Sequence, residues 1–239
     1  MAKRRQGTPL WVTLGCGCIF LVTLAIGAVV VAGYFGVSAF QGYVEDMKDP
    51  AARSAKAGEI LGSSRLPEGY TAQLFLRVPW VFDMVILSDG EPATLENEDL
   101  DLDDESFGEH AFFYLNLRQG KMDEEEVERM LRGDPIKEGV RVDVGLEADS
   151  HEELSRGSFE IAPQRLSYVA HRGEIEFENR PLEGIYSRVL IDCPGDELSR
   201  LAIWFQRQGE DAEKLPVPGS PADEAALRQF LAHFNVCVD

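Results

Sequence analysis

Hydrophobic and polar positions follow three different rules along this chain. Between Arg5 and Glu45 lie 39 residues without a single Asp, Glu, Lys, Arg or His. Nearly all are apolar or small from Leu10 to about Tyr34. A helix rises about 1.5 Å per residue, so roughly 20 residues cross a bilayer core. The run therefore predicts a transmembrane helix over 10–36, after a basic tail at 1–9. The helical pattern continues to about Lys48, where Asp49-Pro50 stops it, because the residue before proline avoids the helical region. Ala51 to Leu61 is Ala-rich and predicts a short juxtamembrane helix within a stalk at 37–65, broken by Gly62-Ser63-Ser64.

From about residue 66 the apolar period changes to two, the spacing of half-buried strands. Tyr70, Ala72, Leu74, Leu76 and Val78 alternate with other residues, and Phe82, Met84 and Ile86 resume after Pro79. Ala111–Arg118 predicts another strand, and Val140, Val142, Val144 and Leu146 form the cleanest alternation. Further strands are expected at 158–162, 165–170, 174–178, 185–192 and 201–207. Two polar, Gly-containing segments, His171-Arg172-Gly173-Glu174 and Cys193-Pro194-Gly195-Asp196, read as tight turns between antiparallel neighbours.

Helical spacing returns twice. Asp123 with Glu126 makes a capping box ahead of Val127, Met130 and Leu131, and Gly133-Asp134-Pro135 ends that helix. Near the C-terminus Ser220 caps, Pro221 takes the first position, and Leu227, Phe230, Leu231 and Phe234 share one face. Residues 91–109 are acidic and predict a loop.

The expected fold class is α+β: one N-terminal transmembrane helix, then an antiparallel-sheet domain at 66–239 with a mid-chain helix and a C-terminal helix packed on the sheet. In element order, and in the local segment Leu66-Pro67-Glu68-Gly69-Tyr70, residues 66–236 resemble the Mog1/PsbP-like group. It also resembles anchored bacterial proteins with one helix and a small exported α+β domain. That resemblance implies a binding or assembly module; a shared fold does not carry activity with it.

Charge gives the orientation. Lys3, Arg4 and Arg5 precede the apolar run and Glu45 and Asp46 follow it, so the N-terminus is expected in the cytoplasm and the domain outside the inner membrane. A cleaved signal peptide ending at Val37-Ser38-Ala39 would export the same domain, although its apolar core would span only about 7–15 residues. Lipidation at Cys16 or Cys18 fits less well, since Thr13 stands where the lipoprotein pattern has Leu. Ala28, Ala32 and Gly36 form a small-residue ridge through which two such helices could associate into a homo-oligomer.

Beyond residue 40 the chain holds 20 basic and 42 acidic residues, a net charge of −22. Such a field repels phosphate backbones, which argues against nucleic acid as a partner. The same region has two cysteines, Cys193 and Cys237. An exported domain with two cysteines most simply pairs them. Closing that loop would stabilise the fold by roughly 4 kcal/mol on the chain-entropy argument. The alternative is two buried thiols.

Chemical motifs are sparse. The sequence lacks a Gly-x-Ser-x-Gly elbow, a Ser-x-x-Lys pair and a phosphate-binding loop. His151-Glu152-Glu153-Leu154-Ser155 opens like a zinc-protease helix, but Ser155 replaces the second histidine. Asp99, Asp101 and Asp103 have the alternate spacing that begins an EF-hand loop, a candidate weak cation site. Asp104 then stands where Gly is needed and His110 where the bidentate Glu belongs. No cofactor is expected. His233 reads as a packed or capping residue, and His171 with nearby carboxylates as a remote acid–base candidate. Trp80 is expected in the core; if exposed, it is a candidate partner contact. The function expected is a membrane-tethered, non-catalytic binding or assembly domain for a protein or envelope component. The alternative is an envelope hydrolase or cation-dependent enzyme with dispersed carboxylates and histidine.

Overall fold

Strand alternation is the dominant local signal, and it produces a sheet. The computed structural model describes residues 42–43, 45–96, 99–101, 104–118, 125, 129, 131, 146–177, 180–196, 198–209 and 214–237. The chain divides into two units, Met1–Glu45 and Asp46–Asp239. The expected span at 10–36, with Ala28, Ala32 and Gly36, lies outside the described residues. Among the described residues no helix is long and apolar enough to cross a membrane.

The second unit is α+β. Its elements in chain order are α1 (Pro50–Leu61), β1 (Thr71–Val78), β2 (Phe82–Ser88), β3 (Thr94–Glu96), β4 (Asp99–Asp101), α2 (Asp104–Phe107), β5 (His110–Leu117), β6 (Leu146–Ile161), β7 (Gln164–Phe177), β8 (Arg180–Asp192), β9 (Ser199–Arg207) and α3 (Glu224–Leu231). Seven strands form one sheet in the order β1-β2-β5-β9-β8-β7-β6, with β3-β4 a separate pair. Every neighbouring pair in the large sheet is antiparallel.

Alternation places Phe113 and Phe205 on one face and Phe112 and Trp204 on the other. On the first face Ile86, Phe113, Ile175, Tyr186 and Phe205 pack with Ala93 and Phe107. On the second, α3 lays Phe230 on Trp204 (4.4 Å between centroids, 1° apart) and beside Phe112 (5.3 Å). Stacked and edge-on rings of this kind stabilise beyond their buried area.

Several elements differ from the sequence expectation. The segment His171-Arg172-Gly173-Glu174 is no turn: it lies inside β7, with Gly173 opposite Gly184 of β8. The separate strands expected over 158–192 are thus three long ones. The Cys193–Asp196 turn does form, closed by Asp196 N–H donating to Cys193 O at 3.1 Å. The acidic segment 91–109 folds into β3, β4 and α2 rather than a bare loop, and buries Ala93 and Phe107. The alternation at 140–144 lies outside the described residues. So does most of the mid-chain helix, although Glu125, Arg129 and Leu131 are helical.

Helix α1 belongs to the folded unit and not to a stalk, which moves the domain boundary from about 66 to about 46. Asp49 caps it, accepting from Ala51 N–H at 2.9 Å, and Pro50 starts it. It buries Arg53, Ala57 and Leu61 completely. Helix α3 begins at Glu224, later than Ser220-Pro221, because Asp223 is the cap and accepts from Ala225 N–H. Ser220 instead closes a turn onto Val217 O.

Candidate functional site

The β1–β2 hairpin turns over Pro79, Trp80 and Val81. Val81 N–H donates to Val78 O at 3.0 Å, so Pro79 and Trp80 are the central residues of a four-residue turn. Proline suits the first central position, and a positive φ at the second is the mark of a type II turn, which prefers glycine there. Trp80 occupies it with φ 63, the one non-glycine residue with positive φ among the described residues. It is also 83 % exposed. The expectation that Trp80 is core is therefore corrected: the turn projects the ring instead of folding it back. A bulky residue in this region costs about 1–2 kcal/mol, and such strain concentrates at functional positions.

Trp80→Gly should accordingly be more stable than Trp80→Ala by about 1 kcal/mol, since both lack the ring and only glycine relaxes the backbone. Thermal unfolding of the pair reads the difference as about 2–4 °C for a domain of this size. Equal melting temperatures would remove the strain from the account.

Behind the tip the two faces of the hairpin differ. One carries Leu76, Val78, Phe82 and Met84, all partly buried. The other carries Arg77 and Asp83, which face each other across the strands. Asp83 Oδ1 accepts from Arg77 Nε at 3.2 Å. Asp83 Oδ2 accepts from Arg118 Nε and Nη2 at 3.0 and 2.6 Å, and from Asn116 Nδ2 at 3.3 Å. The carboxylate is buried (3 % exposed), while the two arginine side chains are 50 % and 37 % exposed. Arg118 N–H also donates to Val81 O at 2.9 Å, which ties the end of β5 to the turn. A buried acceptor holding two half-exposed guanidiniums fixes their orientation at low entropy cost.

At the opposite end of β2, among the described residues, a histidine pairs with a carboxylate. His110 Nδ1 meets Asp89 Oδ2 at 2.7 Å, and Asp89 Oδ1 accepts from the backbone N–H of Glu109 and His110, both at 2.8 Å. Gly108 (φ 57) permits this approach: a Cβ there would lie 2.3 Å from Asp89 Oδ1. Sequence reading missed the pair because 21 positions separate its members. Among the described residues nothing places a nucleophile on it.

The other histidines are dispersed. His151 sits exposed on β6, so the His151–Ser155 stretch is strand and not helix. His233 is exposed after α3, neither packed nor in the core. His171 is buried in β7 with Nε2 3.3 Å from Leu131 O. Burial pushes its pKa below the ordinary value, against the smaller upward pull of the Leu131 carbonyl. A histidine depressed in the folded state binds its proton preferentially when unfolded. Its neutral form is therefore favourable above about pH 6.5, and stability falls as the solution is acidified through that value. His171→Gln should flatten this slope in urea titrations across that window, and an unchanged slope would assign it to other groups.

Asp99 and Asp101 are positions of β4, and Asp103 lies outside the described residues. Among the described residues no group of three His, Cys, Asp or Glu is placed to hold a metal ion. Cys193 and Cys237 stand at disulfide distance with 5.4 Å between Cα atoms, linking the β8–β9 turn to the segment after α3. No family model matches the sequence, and no curated protein is detectably similar to it.

Proposed function

We propose that this protein is a single-pass membrane protein, N-terminus in the cytoplasm, whose α+β domain works outside the inner membrane as a non-catalytic binding or assembly module. The observation that carries the reading is Trp80, an exposed indole held on a strained turn at a hairpin tip. Large rings stay exposed at an energetic cost, and tryptophan is among the residues that dominate interface energetics. The apolar run at 10–36 and its flanking charges support the tether, and the small-residue ridge Ala28, Ala32, Gly36 supports association of two such helices.

The tip also faces a particular way within its unit. Arg53 bonds both Met47 O and Ala93 O, and Ala93 N–H bonds Gln73. The chain thus enters the unit beside Gln73, near the start of β1. Trp80 lies seven residues further, roughly 20 Å at strand rise. That separation favours a partner away from the point where the chain enters the unit.

The test is site-specific photo-cross-linking in intact cells, with a benzophenone residue replacing Pro79 in the full-length chain. A discrete adduct that disappears on Trp80→Gly is the expected result. Adducts that persist without Trp80, or that arise only from the β6–β7 turn, would overturn the assignment of the tip. Protease added to spheroplasts should remove the domain; a protected domain would overturn the orientation.

The enzyme reading draws on one specific observation, the Asp89–His110 pair. Its test is the hydrolysis of ester and amide reporters by wild type and by His110→Gln. Turnover that depends on His110 would favour an envelope hydrolase.

A further inference from the structure

We infer that the Trp80 tip receives a protein segment that presents a carboxylate beside an apolar side chain, with Arg77 and Arg118 as the carboxylate's partners. The inference rests on the binding role proposed above and specifies its chemistry.

Three observations carry it. First, Trp80 offers an exposed apolar ring on a turn whose backbone is fixed, so little freedom is lost when a partner packs on it. Secondly, the two arginines are already oriented. Asp83 engages Arg77 through Nε and Arg118 through Nε and Nη2. The remaining guanidinium nitrogens are Nη1 and Nη2 of Arg77 and Nη1 of Arg118, on side chains 50 % and 37 % exposed. Guanidinium forks match the planar geometry of a carboxylate, and Arg and Trp are both among the residues enriched where binding energy concentrates.

Thirdly, charge separates the classes of occupant. Two cations share one buried anion at the tip, a local positive surplus on a region whose net charge is −22. A polyanion or a strongly anionic bilayer spans a wide area and so brings its charges within screening range of the domain's carboxylates. One carboxylate set among apolar groups meets mainly the local cations, because screening in physiological salt limits the reach of the rest to about 8 Å. A basic partner would be drawn by the domain at large but rejected at the tip.

The test uses the full chain in nanodiscs of zwitterionic lipid against an array of short peptides pairing Leu or Phe with Glu. Matched arrays carry Gln or Lys in place of Glu, and vesicles are offered with and without phosphatidylglycerol. The Glu peptides should be retained above the Gln and Lys sets. Trp80→Gly and the double variant Arg77→Gln, Arg118→Gln should each weaken retention by about tenfold or more, as for an interface centre. The double Lys variant should restore part of it, and a single cooperative melting transition lying above the assay temperature shows each variant folded.

Equal retention of Gln peptides, or preference for Lys peptides, overturns the inference. So does Trp80-dependent binding to phosphatidylglycerol vesicles, which would assign the tip to a lipid surface. If no peptide binds while the Pro79 adduct still depends on Trp80, the carboxylate inference falls and the binding role stands. Loss of both removes the two together.

Discussion

Phe230→Ala is expected to lower the stability of the domain by about 4 kcal/mol, within the range for cutting a large ring from a packed core. Phe230 is the α3 residue at the centre of an aromatic cluster on the sheet. Its ring lies 4.4 Å from Trp204, 5.3 Å from Phe112, 5.2 Å from Tyr70 and 5.5 Å from Phe234, counted between centroids. Trp204 in turn donates its indole N–H to Tyr70 Oη at 3.0 Å. Removing one ring therefore leaves four others without a common neighbour, in a place where the β9 and β5 backbones cannot collapse to fill the gap. Phe230→Leu, which keeps most of the volume, should cost less than about 1.5 kcal/mol. Urea denaturation checks both through the midpoint at constant slope. A loss under about 1 kcal/mol for the Ala variant would mean that α3 is held by something other than this ring.

Arg53→Met is expected to cost about 3 kcal/mol. Arg53 is completely buried on α1. Its Nη1 donates to Met47 O at 3.2 Å and to Ala93 O at 3.0 Å, and Nη2 donates to Ala93 O at 3.0 Å. Among the described residues no carboxylate accompanies it, and burial pulls its pKa below the ordinary guanidinium value. Methionine relieves the desolvated charge, which offsets part of the loss. It also strands two buried carbonyl groups, each of which costs about 1–3 kcal/mol without a donor. The second effect is the larger. Arg53→Lys should not rescue, because one ammonium lacks the fork that reaches both carbonyls. Hydrogen exchange should quicken from Ala93 to Phe107 in the variant before the central strands change. Uniform exchange across the unit would show that α1 and this segment do not share a clasp.

Much of the sheet can be read from its apolar patterning, which alternates where one face is covered and is near-continuous where both are, as in β5. Trp204 and Phe205 take opposite faces as their adjacency requires, one under Phe230 and the other against Tyr186. Continuity was harder to read. Gly173 suggests a turn, yet it pairs with Gly184 inside the sheet, where a Cβ on Gly184 would lie 2.1 Å from Gln206 O and 2.6 Å from the Phe205 ring. The glycine is there for close packing, and no local pattern distinguishes that from a turn. Helix α1 was misread as stalk because its buried surface has one large apolar residue, Leu61, beside Ala57, Gly58 and an arginine, a composition that resembles a solvated helix. The two cysteines beyond residue 40, Cys193 and Cys237, are expected to pair from their number alone, and they stand at disulfide distance. Exposure of Trp80 could not be anticipated, since Val-Pro-Trp-Val-Phe reads as core, and the Asp89–His110 contact is made only by folding.

Strand β6 ends the sheet among the described strands, and its pairing with β7 slips twice, between Ser150 and Glu152 and between Glu153 and Ser155. Glu152, Glu153, Arg156 and Glu160 stand exposed along it. A flat, uncharged margin would let one molecule's backbone continue into the next. Here the kinks spoil the register and the carboxylates meet carboxylates, so molecules crowded side by side would slide past one another without fusing into fibrils.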